Sequence, residues 1–169
     1  MILKATAEAP SNLAFVKYWG KRDAGLRIPS NNSISVNLSD ARTITRVEFD
    51  QDILEDELTL NNNKIQIDTE FSNRLFKHIE RIRNLAGITY KAKVNTRNTF
   101  PAGVGIASSA SGFAALTLAA CKALDVQLAE RELSELARLG SGSACRSIPD
   151  GFTEWIAVDK ENRSYAVEL

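Results

Sequence analysis

The sequence predicts an α+β domain with a mainly antiparallel sheet, and three observations carry this. Polar and apolar residues alternate with a period of two over 31–38 (NNSISVNL) and 42–49 (RTITRVEF), the pattern of half-buried strands. The period lengthens to that of a helix over 70–86, 113–124 and 129–139. The closing segments, 151–158 and 164–169, return to strand-like composition around a turn at 160–162.

The bulk properties set outer limits. A chain of 169 residues supports one substantial core or two small ones. It is 44% hydrophobic and 25% charged, ordinary for a globular domain. The 21 basic and 21 acidic side chains cancel, so no net charge draws the chain to nucleic acid or an anionic membrane, and neither partner is expected. Cys121 and Cys145 lack metal-ligand spacing, which points to a reduced, cytoplasmic setting. The single histidine, His78, lies in a charged helical stretch and is expected at the surface. The opening MILKATAEAP is too short in apolar residues for a signal peptide, and no apolar run is long enough to span a bilayer.

Taken in order, residues 2–8 (ILKATAE) predict a first strand, ended by Ala9-Pro10-Ser11-Asn12. Next comes Val16-Lys17-Tyr18-Trp19-Gly20-Lys21-Arg22, which mixes two large aromatics with three cations. Such a stretch suits a phosphorylated ligand; it also suits a strand edge with solvated lysines and a packed Trp19. Two strands follow at 31–38 and 42–49, then a hairpin pairing 58–60 with 65–67 across the asparagine cluster 61–63. The helix over 70–86 places Phe71, Leu75, Ile79, Ile82 and Leu85 at core spacing, with Gly87 as its stop. Its cations are expected in solvent; Arg74, near the N-terminal end, is equally placed to enter a pocket. After a strand at 90–96 comes a central apolar helix that Asp125 ends, then an amphipathic helix that Gly140 ends. The chain stops inside a strand-like segment, with no polar tail.

Residues 100–115 (FPAGVGIASSASGFAA) read as a tight small-residue loop entering a helix. The unpaired N–H groups and positive dipole end of such a helix attract an anion, above all a phosphate chain; a plain turn into a core helix has the same composition. A second small polar loop, Ser141-Gly142-Ser143-Ala144-Cys145-Arg146-Ser147, carries one arginine. Two such loops together with the Tyr18–Lys21 stretch form a three-part anion-binding set, far more specific than any one part.

The three segments, at 12–22, 101–112 and 140–147, together resemble the mevalonate diphosphate decarboxylases, a branch of the superfamily of galactokinase, homoserine kinase and mevalonate kinase. The resemblance covers almost the whole chain. It implies an α+β fold with helices packed on one side of the sheet, of the kind first seen in a ribosomal protein domain. It implies ATP- and magnesium-dependent phosphorylation of the 3-hydroxyl of mevalonate 5-diphosphate. Loss of that phosphate with carbon dioxide then gives isopentenyl diphosphate, a step in isoprenoid biosynthesis. Carried over by position, Tyr18, Trp19, Gly20, Lys21 and Arg74 would hold the substrate phosphates. Ser141, Gly142, Ser143, Ala144, Cys145 and Arg146 would form the other wall, with Arg146 as the catalytic residue that orients the carboxylate. Gly103, Val104, Gly105, Ile106, Ala107, Ser108 and Ser109 would cradle the ATP phosphates, with Ser108 or Ser109 near the magnesium.

The resemblance also implies chains about twice this length, dimeric when intact. Their second half carries an aspartate beside the 3-hydroxyl that nothing here matches. Residues 1–169 are therefore expected to be the N-terminal, ATP- and substrate-binding domain, with little or no turnover alone. A decarboxylase of the 5-monophosphate, a mevalonate 3-kinase and a non-catalytic phosphate-binding domain are the competing readings.

Overall fold

The computed structural model describes residues 1–101, 108–161 and 163–169. The elements are β1 (Ile2–Val16), β2 (Lys21–Asp23), β3 (Ile28–Pro29), β4 (Ser33–Asp50), β5 (Glu57–Leu60), β6 (Asn63–Lys64), α1 (Glu70–Ala86), β7 (Lys91–Asn98), α2 (Ser108–Ala123), α3 (Glu130–Gly140), a 3-10 turn (Gly142–Ser147), β8 (Phe152–Ile156) and β9 (Tyr165–Glu168). Of the expected phosphate cradle, Gly103, Val104, Gly105, Ile106 and Ala107 lie outside the described residues, as does Asn162.

The sheet is organised on β4. One edge of β4 pairs along almost its whole length with β1; the other pairs first with β8, then with β7. β9 extends the sheet beyond β8, and β5 and β6 extend it beyond β7. Every pairing is antiparallel except β5 with β7. A separate two-stranded ribbon, β2–β3, stands off the main sheet. One face of the sheet, through Val47, Phe49, Leu58 and Val94, packs on Leu75, Ile79 and Ile82 of α1 and Phe113 and Leu116 of α2. Full burial of each such side chain contributes about 1.5–3 kcal/mol. Among the described residues, no helix is long and apolar enough to cross a membrane.

Local chemistry explains the ends. Thr69 Oγ1 accepts from the Ser72 amide at 3.1 Å while Ser72 Oγ accepts from the Thr69 amide at 3.0 Å, a reciprocal cap on α1. Gly87 closes α1 at φ 68°, a left-handed turn that glycine enters without strain. Asp125, at φ 53°, follows α2 as expected.

Several expectations are corrected. The first strand runs through Pro10 to Val16. Its register slips between Pro10 and Ser11, where β4 bulges by residues 39–41, so the missing proline N–H costs no regular ladder bond. The two strands expected at 31–38 and 42–49 are one, β4, with that bulge inside it. The hairpin turns at Asn61 and Asn62, both at positive φ, and its second strand is Asn63–Lys64; of 65–67, Ile65 donates its amide to the Leu58 carbonyl at 2.9 Å. Leu85 is exposed. Arg83 is buried in an ion pair with Asp56, which also accepts the Ala92 amide. His78 is fully buried, because Thr117 of α2 offers a hydroxyl for its Nε2 at 2.8 Å and Phe113 an edge for its ring.

Candidate functional site

Two adjoining regions gather the residues singled out by the sequence. The first is a wall built on Trp155, an inward residue of β8. Tyr18, just past the end of β1, stands edge-on to its ring at 4.9 Å. The Arg146 guanidinium lies 5.6 Å from the ring centroid. Gly142 brings the backbone of the 3-10 turn against the same indole: a side chain there would start 3.1 Å from Trp155 Cη2 and 3.6 Å from the Tyr18 hydroxyl. Only glycine fits that approach without displacing the ring. The fold thus unites Tyr18, Gly142 and Arg146 on Trp155, a residue to which the sequence reading gave no role.

Arg146 is the electrostatic centre of this wall. It is 4% exposed, donating to Ser33 Oγ at 2.7 Å and to Asn12 Oδ1 at 3.1 Å. Asn12 in turn donates to Ser147 Oγ at 2.8 Å and to the Ser143 carbonyl at 3.0 Å, tying β1 to the 3-10 turn. All of these partners are neutral. Among the described residues no carboxylate pairs with Arg146, and its Nε has no acceptor. Burial pulls its pKa below the ordinary arginine range. A buried cation without a counter-ion is costly, and a site that keeps one is shaped for an incoming anion. Beside it, the Cys145 thiol donates to the Gly142 carbonyl, and burial pushes its pKa up to about 12, so it is a neutral packing group.

The arm bearing Lys21 leaves this wall at Gly20, whose φ of 74° favours glycine and whose missing side chain would sit 3.2 Å from Ser30 Oγ. Asn31 fixes the base of the arm, accepting from the Trp19 amide at 2.9 Å and donating to the Lys17 carbonyl. Trp19 itself is 78% exposed, so the packed Trp19 of a plain strand edge is not what the fold builds. Lys21 is likewise exposed, on β2.

The second region is a cavity of about 310 Å³ between the sheet, α1 and α2. Leu60, Phe71, Val94 and Leu116 give it apolar walls; Thr96, Asn98, Ser108 and Ser109 give it polar ones. Ser108 and Ser109 open α2, whose first turn carries no acidic residue, which leaves the positive end of the helix dipole favourable to an anion. Gly112 leaves open space where a side chain would otherwise intrude. Arg74 lines this cavity, its guanidinium 5.0 Å from the Phe113 ring centroid and its Nε without a partner among the described residues. It is therefore grouped with Ser108 and Ser109 and is not among the groups gathered on Trp155. The two regions meet where Ser141 Oγ approaches Ser109 Oγ at 3.5 Å and where Gly140 packs on Phe113.

Apolar walls with polar groups beside a helix N-terminus fit a nucleoside with its phosphates at Ser108 and Ser109. Among the described residues no cluster of acidic, histidine or cysteine side chains forms a metal cage. Magnesium is commonly held by substrate phosphates and few protein ligands, and the hydroxyls of Ser108 and Ser109 are oxygen donors of the kind it takes.

Comparisons with known proteins bear on the family and the fold. A diphosphomevalonate decarboxylase of Debaryomyces hansenii is 39% identical over 99% of this chain and 47% of its own length. The crystal structure of mevalonate diphosphate decarboxylase from Staphylococcus aureus superposes with a TM-score of 0.94 at 45% identity, over all of this chain and 50% of that one. A structure of MDDEF in complex with MVAPP, AMPPCP and magnesium gives a TM-score of 0.92 at 38% identity, over all of this chain and 51% of that one. The chain thus spans about half the length of the relatives it matches. The family model for the diphosphomevalonate decarboxylase-like N-terminal domain matches residues 9–166, and the chain belongs to that family.

Proposed function

We propose that this chain is the ATP- and substrate-binding domain of a mevalonate 5-diphosphate decarboxylase, an ATP-dependent lyase forming isopentenyl diphosphate, ADP, phosphate and carbon dioxide. The observation that carries the reading is Arg146, a buried guanidinium held by the neutral side chains of Ser33 and Asn12. ATP supplies the phosphoryl group that turns a tertiary hydroxyl into a leaving group, with magnesium offsetting the charge between phosphates. The chain's own residues bind and orient. Arg146 faces the substrate carboxylate, fixed by Asn12 and Ser33 so that little reorganisation accompanies binding. Lys21, with Tyr18, Trp19 and Gly20, takes the substrate diphosphate from one side; Ser141, Gly142, Ser143, Ala144 and Cys145 bound it from the other. Ser108 and Ser109 serve the ATP phosphates, and Ser108 the magnesium. Arg74, lining the same cavity with no partner for its Nε among the described residues, supplies a further positive charge for phosphate. The dimeric state expected of the intact enzyme belongs to this same proposal.

Calorimetric titration with mevalonate 5-diphosphate, mevalonate 5-phosphate and AMPPCP with magnesium tests it. The chain is expected to bind the diphosphate and the nucleotide while turning over little or no substrate. Arg146→Met is expected to weaken mevalonate 5-diphosphate binding at least tenfold while leaving the thermal midpoint of the free chain unchanged or higher, since a buried unpaired charge is removed. Failure of the parent chain to bind either ligand would remove the reading. Tighter binding of the monophosphate would reassign the substrate.

A further inference from the structure

The β2–β3 ribbon carries Lys21 at its base and is held at its tip by an exchange of side chains with α3. Arg27, in the turn of the ribbon, donates from Nε to the Leu139 carbonyl at 3.3 Å. Arg138, in the last turn of α3, donates from Nε to the Ser164 carbonyl at 2.9 Å and through its terminal nitrogen to the Leu26 carbonyl in the ribbon turn. Each partner thus gives a guanidinium and receives one on a main-chain oxygen. The Leu139 carbonyl belongs to the final turn of α3, where carbonyls have no partner within the helix and a cation suits the dipole. Arg27 sits at φ 55°, a left-handed conformation that non-glycine residues rarely adopt, and its side chain is what reaches across. Arg138 is buried and, among the described residues, bonds only to carbonyls. Neither arginine makes an ion pair among the described residues.

The location gives this arrangement a purpose. α3 ends at Gly140, and the Ser141–Arg146 wall begins at the next residue. The ribbon begins at Lys21. Asn31 ties down the base of the ribbon, and the exchange with α3 ties down its tip. We propose that Arg27 and Arg138 are positioning residues that clasp the Lys21 arm to the end of α3, so that both walls of the diphosphate site are set before the anion arrives. This rests on the functional reading above. A pre-set arm loses less conformational freedom on binding, which is the benefit of preorganisation.

Hydrogen exchange and calorimetry on the chain with Arg27→Met, Arg138→Met, both together, and Arg27→Lys test the proposal. In the double variant, amide exchange in residues 24–28 is expected to accelerate at least tenfold. Mevalonate 5-diphosphate affinity is expected to fall at least tenfold while AMPPCP–magnesium affinity stays within twofold, and Arg27→Lys to recover part of the loss. Diphosphate affinity within twofold of the parent would overturn it, as would equal loss of both ligands, which marks general destabilisation. If the buried Arg138 variant does not fold, Arg27→Met is judged by the same criteria. If the parent binds nucleotide but no diphosphate, the functional reading fails separately. Exchange in 24–28 then decides the clasp, and no change there overturns it.

Discussion

Burial makes His78 a neutral imidazole. Loss of hydration lowers its pKa to about 3, with Arg81 and then Arg27 adding to the effect. Thr117 donates its hydroxyl hydrogen to the Phe113 carbonyl at 2.7 Å, so it accepts from His78 Nε2–H, and among the described residues Nδ1 has no partner. The sign of the pH effect follows. The folded value lies below the unfolded 6.5, so the unfolded chain binds the extra proton first. Stability from this group is complete above pH 6.5 and is lost as pH falls toward about 3. Each tenfold change in proton affinity is worth about 1.4 kcal/mol. Urea midpoints for the parent should fall between pH 7 and pH 4.5, and His78→Gln should flatten that slope; equal slopes would contradict the assignment. At this scale the sequence misled, because a histidine among charged helical neighbours shows nothing of the hydroxyl waiting 39 positions later. The inward placement of Arg146 was legible, because it is the lone arginine of a small polar loop. Its fixing by Asn12 and Ser33 was not, since those partners lie more than 110 positions away.

Among the elements, the helices were the most legible, because a helical period is a local property and α1 carries its own cap and stop. Strand boundaries were not. Pro10 reads as a break in any window of sequence, and only the slipped pairing with β4 shows why the strand continues. Gly140 was expected as a conformational stop, yet it is the last residue of α3, and packing is what demands it. A methyl group there would lie 2.3 Å from Phe113 Cδ1. Phe113 is held from three sides, by Gly140, by the His78 edge and by Arg74. Gly140→Ala should therefore cost about 1–3 kcal/mol in denaturant unfolding, as overpacking does, and weaken AMPPCP binding through the cavity that Phe113 lines. A variant as stable as the parent would show that the ring yields freely.

At the scale of the molecule, β4 is the common member of both halves of the sheet. It pairs with β1 on one side and with β8 and β7 in succession on the other. Neither half can come apart without breaking a strand the other uses. Thermal unfolding should therefore be a single transition with calorimetric and van't Hoff enthalpies equal; a ratio well above one would show two independent units. The α+β class and the helix-backed sheet were legible from periodicity and resemblance together. The sharing of one long strand was not, since a period-2 pattern does not reveal what pairs across it. The two tryptophans occupy opposite extremes, Trp19 at 78% exposure and Trp155 at 1%. The molecule thus carries two optical channels: a red-shifted, quencher-accessible indole on the Lys21 arm, and a blue-shifted, shielded one under Arg146. Acrylamide titration of one emission spectrum can then follow arm and wall separately, with no label attached.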